Sequence, residues 1–463
     1  MMTSWVEQEM QGLDLGDKRR NRRAVHLLAA LSKQPQASIP VACGSAARTK
    51  AAYRHLDLDN DSQEWLAPHM ARTAERAAEH PYVLALSDTT ELDFTGLSSL
   101  EGAGPIDGAH CRGLKVHSVL AVSPEGVPLG LLDQQVWARE ETEGEEAGGK
   151  KKTRRKRAPD DKESWKWRTG AEACQKRLPA ELPFVYVGDR EADCYSLLGM
   201  PRRAGMDLLV RATHNRKLRD PEYSYLIQAV EAAPVLGRLR LTLPRSRKRE
   251  EREAVLEIRS ARVVLEKPRN GTNGKGLSPV EVSVVLAREV DETAGGSERV
   301  EWMLLSTREA GTLEEAVWCV KSYALRWRVE RFHYTLKSGC GIEKLQLETT
   351  ERMKRALVLY SIIAWRLLHM TYYVRAEPNA PCTLVLEEDE WRALSSIRPG
   401  RKKAEPLQPP TMKEAVRQIA HLGGFMGRKG DGDPGVKSIW TGFRRLMDIT
   451  HGYRAATQDL GNG

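Results

Sequence analysis

Paired cysteines are missing from this 463-residue chain: Cys43, Cys111, Cys174, Cys194, Cys319, Cys340 and Cys382 are scattered singly, with no CxxC spacing. An odd count without framework spacing argues against a disulfide scaffold and against a structural zinc site, and for reduced thiols. Long apolar runs are missing too. The longest, residues 356–370, is broken by Arg366 and falls short of the roughly 20 residues that span a bilayer. An acidic residue, Glu7, comes early and no apolar run accompanies it, so no secretory signal is expected. No internal repeat is evident, which sets aside solenoids and propellers. Together these absences predict a soluble cytoplasmic protein without a membrane partner.

What the chain does have is charge. Lys and Arg number 72 against 63 Asp and Glu, a formal +9. The excess gathers at residues 18–23, 150–157 and 245–252. Such a balance suggests a polyanionic partner, although each cluster alone also suits a solvated loop. The length allows two or three domains with a substantial core.

Residues 1–75 read as helical and basic. The run Lys18, Arg19, Arg20 leads into an amphipathic stretch at 24–31, and a proline-punctuated link precedes a second helix at 46–55. From Tyr82 the pattern turns to strands. An apolar run at 82–86 ends at Ser87-Asp88, with further strands at 115–122 and 127–136; another run at 184–187 ends at Gly188-Asp189 before a helical pattern at 191–198. Asp88 and Asp189 are therefore expected at the C-terminal ends of buried strands, where open α/β sheets place ligand-binding groups. Residues 138–170 interrupt the pattern with an acidic and then a basic block. Strand-like segments at 235–243, 254–265 and 280–287, with the turn signal Asn270-Gly271, predict an inserted antiparallel subdomain. Helical patterns dominate after Lys337. A Pro-rich connector at 399–410 precedes a last helical region, 412–453, which contains a glycine-rich loop around Phe425 and is followed by a tail beyond about 455.

The most informative stretch is residues 323–337. On a helix at about 100° per residue, Tyr323, Arg326, Glu330 and Lys337 fall within an arc of roughly 60°. Trp318, Leu325, Val329, Phe332 and Leu336 occupy a separate arc, so the polar stripe is expected to line the edge of a buried face. Alone, the stripe also suits a surface ion pair. Likewise Asp88 suits a turn and Asp189 an N-cap. Taken together, three carboxylates from two strands and a helix can hold two hard divalent cations, with Tyr323, Arg326 and Lys337 free to bind phosphates beside the reacting one.

These residues carry a resemblance. The segment Asp88-Thr-Thr-Glu-Leu-Asp-Phe94, the segment Gly188-Asp189-Arg-Glu-Ala-Asp193 and the spacing Y-x2-R-x3-E-x6-K resemble the DDE transposases of the insertion-sequence-four group, to which the Tn-five type belongs. Trp5, Leu15-Gly16-Asp17, Ser38-Ile-Pro40, Lys50-Ala-Ala-Tyr53 and the glycine-rich region from Gly423 look similar too, so the likeness runs through nearly the whole chain. It implies an α/β fold: an RNase H-like catalytic core with an inserted antiparallel β subdomain, flanked by N-terminal and C-terminal helical domains. The implied boundaries are 1–75 for binding DNA ends, 76–375 for catalysis with an insertion at about 230–300, and 376–463 for dimerisation. Asp88, Asp189 and Glu330 would be the catalytic metal ligands, for two Mg²⁺ ions that Mn²⁺ can replace. Tyr323, Arg326, Lys337 and Arg211 would contact DNA, and Trp302 would stack on an extruded base. Lys18, Arg19 and Arg20 would serve end recognition.

The implied activity is cut-and-paste transposition by a bacterial, nucleoid-associated homodimer, acting on transposon-end and target DNA. A metal-dependent nuclease on the same fold and a catalytically silent DNA-binding regulator are the alternatives. Strand-transfer products would separate the first from transposition, and any cleavage would exclude the second.

Overall fold

The computed structural model describes residues 4–108, 110–140, 163–243, 252–268, 278–290, 299–398 and 408–459. The expected charge block at 150–157, most of the basic cluster at 245–252, the Asn270-Gly271 turn and most of the Pro-rich connector lie outside these residues.

Five helices precede the first strand: α1 (Trp5–Glu9), α2 (Lys18–Lys33), α3 (Ile39–Cys43), α4 (Ala46–Leu56) and α5 (Ser62–Ala78). Each of α2, α4 and α5 starts at a side-chain cap, from Asp17, Ser45 and Asp61, whose oxygens accept otherwise orphaned backbone N–H groups. The short helix α3 ends at Gly44 in the left-handed conformation, which turns the chain directly into α4.

A ten-stranded sheet follows: β1 (Val83–Asp93), β2 (Gly104–Pro105), β3 (Arg112–Val122), β4 (Pro128–Trp137), β5 (Phe184–Gly188), β6 (Met206–Arg211), β7 (Val235–Leu243), β8 (Arg252–Leu265), β9 (Val280–Glu289) and β10 (Glu301–Ser306). The main path runs β2-β3-β1-β5-β6-β10-β9-β8-β7, with β4 pairing with β3 on the side away from β1, beyond β2 along the same edge. Strands β1, β5 and β6 are mutually parallel, and the remaining pairings are antiparallel. Strands β7 to β9, where the sequence predicts a separate subdomain, are antiparallel as expected. They nonetheless extend the central sheet, because β10 pairs with both β6 and β9. At the far end β7 is an edge strand whose Arg238 and Arg240 are exposed.

Alternating side chains divide between two cores, as the two-residue period of strands requires. Leu84, Leu86, Val185, Val187 and Leu209 face one core, while Val83, Ala85, Phe184, Tyr186 and Leu208 face the other. The second core is closed by α6 (Trp165–Arg177), α7 (Tyr195–Leu198) and α8 (Leu226–Ala232). The first takes in α9 (Leu313–Ala324), α10 (Trp327–Tyr334), α11 (Thr350–Ala376), α12 (Glu388–Ser396), α13 (Met412–Leu422) and α14 (Val436–Asp459), together with the N-terminal helices. Helix α11 is long and apolar enough to cross a membrane, but 83% of its apolar window is buried, as befits a central core helix.

Three expected elements differ in detail. The helical pattern at 191–198 is two short turns, Arg190–Ala192 and α7, because Asp193 is turned inward to bind a neighbouring loop. Helix α14 extends to Asp459, beyond the expected boundary. Strand β1 continues to Asp93, so Asp88 lies mid-strand: β3 pairs with β1 along that whole length and holds it extended.

Polar contacts centred on the buried Glu9 and His69 fasten the N-terminal helices to the sheet and to α11. His69 on α5 is fully buried, and burial pushes its ring pKa down. Its Nδ1–H donates to Glu9, while its Nε2 accepts the Leu131 N–H at 3.0 Å. Burial pushes the Glu9 carboxyl up, but the contacts with His69 and Arg76 hold it down to about 2. Arg76 reaches both Glu9 oxygens at 3.0 Å and lies 4.3 Å above the Trp365 ring of α11. Near α4, Arg352 pairs with Asp57, and Arg355 donates to the carbonyls of Leu56 and Asn60. Replacing Glu9 by Gln leaves the half-buried Arg76 without its anion. We expect a loss on the order of 3 kcal/mol, read as a lower denaturation midpoint at pH 7; an unchanged midpoint would show that Arg76 finds another partner.

Candidate functional site

Strand register gathers the first residues of the site. The β1–β5 pairs end at Leu86 opposite Val187, so Asp88 and Asp189 are level just where the two strands part. The β5–β6 pairs end at Gly188 opposite Val210, which sets Arg211 level with Asp189. One row thus carries Asp88, Asp189 and Arg211, two residues beyond Leu86, Val187 and Leu209 and on the same face. Arg211 in turn pairs with Leu304 of β10, placing Trp302 two residues further along that face.

The helical stripe is bent to meet this row. The sequence predicts one regular helix from Tyr323 to Lys337, whereas α9 ends at Ala324, Arg326 is the N-cap of α10, and Thr335–Gly339 is a π-helical turn. Around 325–329 the backbone bonds tighten to a three-residue spacing, as in Arg326 N–H to the Tyr323 carbonyl at 2.9 Å and Val329 N–H to the Arg326 carbonyl at 3.1 Å. Tertiary anchors account for the break. Arg326 reaches Asp88, while Arg328, two residues on, donates to the Gly126 carbonyl at 3.2 Å and lies 3.9 Å over the Tyr372 ring.

Arg326 joins the carboxylates. Its Nη1 lies 3.4 Å from Asp88 Oδ2 and its Nη2 donates to Glu330 Oε1. The Asp88 carboxyl is raised to about 7, the net of burial, which pushes it up most, of Arg326, which pulls it back, and of Asp189 and Glu330, which push it up. The Asp189 carboxyl is also raised, first by burial, against the Glu191 backbone N–H that it accepts at 2.8 Å. Asp189 is therefore an N-cap and a member of the cluster at once. Glu330 is raised by burial as well, with Arg326 opposing and Asp189 reinforcing. Arg326 thus pairs with two of the three carboxylates and acts on Asp189 through its charge.

Such an all-oxygen donor set suits a hard divalent cation. Among the described residues, however, no three His, Cys, Asp or Glu side chains are drawn together closely enough to hold a metal ion. The guanidinium stands between Asp88 and Glu330 instead.

The other expected residues fall into three places. Tyr323 packs edge-on against Trp302, with ring centroids 5.2 Å apart, and Arg211 hydrogen-bonds the Tyr323 hydroxyl and the Glu301 carbonyl, the latter at 3.0 Å. This aromatic and basic group adjoins the carboxylates, since Arg326 lies 5.8 Å from the Tyr323 ring. Lys337 stands apart. It donates to the Glu91 carbonyl at 2.7 Å and pairs with Glu343 at 3.0 Å, three residues along β1 from Asp88 and so about 10 Å away. Lys18, Arg19 and Arg20 are exposed on the first turn of α2, at its positive end, where cations are disfavoured unless an anion is bound.

One supporting pair carried no role in the sequence reading. The fully buried Asp193 carboxylate accepts the Thr213 and His214 backbone N–H groups at 2.8 and 2.9 Å and the Arg216 Nε at 2.8 Å. It ties the loop after Asp189 to the loop after Arg211. Its position four residues past Asp189 was visible, but the partner loop lies on another strand.

Coupled carboxylates at a strand divergence, bordered by arginines and an aromatic pair, are groups of the kind that receive hard cations and phosphates. Residues 109–367, more than half of the chain, match the family model for the transposase DDE domain. Residues 2–61 match the transposase DNA-binding model, and residues 362–461 the transposase Tn5 dimerisation domain. The chain belongs to the DDE transposases and is similar to the Tn5 transposase. The DDE domain implies an RNase H-like core and chemistry that uses divalent metal. Its match includes Asp189 and Glu330 and begins beyond Asp88.

The raised Asp88 carboxyl makes a prediction about stability. Its folded value, about 7, lies above the ordinary 3.8, so its contribution is fully present at acid pH and is lost as pH rises through about 7. In chelator at pH 8, Asp88→Asn is expected to be more stable than the parent chain by on the order of 1 to 3 kcal/mol, with the difference closing towards pH 4. Paired thermal melts across that range check it, and a variant that melts lower at pH 8 would contradict it.

Proposed function

We propose that this DNA transposase works by cut-and-paste, with Asp88, Asp189 and Glu330 as the metal-holding carboxylates of one active site. The observation that carries this reading is that Asp88 and Glu330, from a strand and a helix, both pair with Arg326, whose charge also acts on Asp189 level with Asp88 across the strand divergence. Two Mg²⁺ ions, replaceable by Mn²⁺, supply activation of the nucleophile and stabilisation of the leaving oxygen when bound.

The chain's own residues do the rest. Arg211, Tyr323 and Arg326 orient the phosphates on either side of the reacting one, Arg through its planar fork. Trp302 offers a face on which an extruded base stacks, recovering part of the cost of unstacking. Lys337 grips the strand further along β1, and Lys18, Arg19 and Arg20 hold the transposon end at the start of α2. In sequence, one strand is hydrolysed, the freed 3′-hydroxyl attacks the opposite strand to form a hairpin, the hairpin is reopened by water, and the 3′-hydroxyl attacks target DNA. Each is an in-line displacement at phosphorus, so one site serves all four.

The assembly is a homodimer in which two DNA ends are held together, acting on the nucleoid in the cytoplasm. Its units are an end-binding region at 1–75, a catalytic region at 76–375 with β7 to β9 as an insertion, and a dimerisation region at 376–463.

Glu330→Ala should lower cleavage of an end-bearing duplex by at least about 10²- to 10³-fold in Mg²⁺ or Mn²⁺, with duplex binding retained in a mobility-shift assay. Unchanged cleavage would remove Glu330 from the site, and cleavage without strand transfer in the parent chain would favour a nuclease. Trp302→Ala should instead spare first-strand nicking and slow hairpin formation by about 5- to 150-fold, the equivalent of one lost stack. Equal losses at both steps would place Trp302 outside base handling.

A further inference from the structure

Arg326 occupies the position that the carboxylates leave for a cation. Its Nη1 faces Asp88 Oδ2 and its Nη2 binds Glu330 Oε1, and its side chain is only 15% exposed. Those two oxygens belong to different elements, a strand and a helix, and the guanidinium is what spans them. Among the described residues no closed metal cluster exists while it stands there.

We propose that Arg326 is a placeholder cation: it holds Asp88 and Glu330 in the free protein and releases them to divalent metal when a DNA phosphate draws it away. This rests on the assignment of the three carboxylates made above. The chemistry is a competition for the same oxygens. A guanidinium and a divalent cation cannot both take Asp88 Oδ2 and Glu330 Oε1. Removing the guanidinium alone strands three coupled carboxylates, which are already costly to ionise there. A phosphodiester oxygen pair offers the planar fork an equally good partner, so Arg326 can turn to it without losing its hydrogen bonds. Metal and DNA then bind with positive linkage, each raising the affinity for the other by the same factor. A nuclease centre built this way loads metal chiefly where a substrate phosphate is present.

The test is Mn²⁺ binding to the full chain at pH 8, read from the electron paramagnetic resonance signal of the free ion. The DNA probe is a duplex of the inverted repeat flanking the gene, ended in 3′-dideoxy nucleotides so that no strand transfer follows. The free parent chain should bind Mn²⁺ weakly, and the duplex should tighten binding by about 5- to 150-fold. Free Arg326→Gln should bind Mn²⁺ more tightly than the free parent by a similar factor and gain little more from the duplex. Arg326→Lys, which keeps a cation without the fork, should fall between them. Thermal melts establish that each variant is folded, and Asp189→Asn in the Arg326→Gln background should abolish the gain. If parent and Arg326→Gln bind Mn²⁺ alike, and Asp189→Asn weakens both, the placeholder is wrong while the site stands. If Asp189→Asn changes nothing, the carboxylate assignment itself fails.

Discussion

Between Val83 and Leu86, β1 runs parallel to β5, and beyond Leu86 the two strands separate while β1 continues along β3. That divergence is the constraint on which the site depends. It opens a gap between two strands that are still level, so the residues just past it are held close by backbone pairing on one side and left facing a helix on the other. Asp88, Asp189 and Arg211 are brought level by ladder pairs that end one or two residues before them. A slip of one residue in either parallel pair would turn one of them to the opposite face.

The charge arrangement has a cost that the fold meets elsewhere. Half-buried carboxylates raised above their ordinary range are unfavourable when ionised, and a protein retains them only where surrounding packing over-determines their positions. That packing is plain on both sides. Leu86, Val187, Val329 and Phe332 are buried beneath the cluster, and the Asp193–Arg216 pair fixes the two strand-end loops. The rigid parts are thus the strands and the core, and the adjustable part is a long flexible arginine.

Much of this was legible in the sequence, for identifiable reasons. The starts of both strands were readable because each apolar run that precedes an aspartate is short and follows a proline, although Ser87-Asp88, read as a strand end, lies within β1. The stripe at 323–337 was readable because the apolar arc beside it is real: Val329, Phe332 and Leu336 are buried. The local path of that segment was not readable. Its tightened turn at 325–329 answers to Gly126, Tyr372 and Asp88, and Lys337 in the π turn at Thr335–Gly339 reaches the Glu91 carbonyl, all of them distant in sequence. For the same reason the Asp193 clamp was invisible, and strands β7 to β9 looked like a separate sheet. Periodicity reports which face of a segment is apolar; it does not report which strand will lie beside it.

The sheet's far edge has a further consequence. Among the described strands β7 pairs only with β8, and an edge strand of this kind is a template for pairing with another copy. Arg238 and Arg240 stand exposed on that strand, two residues apart and therefore on the same face. Two cations there meet two identical cations on any molecule that approaches edge to edge, so strand addition between copies is repelled. Like charges on an exposed edge strand are one of the devices that disfavour growth of a sheet from copy to copy.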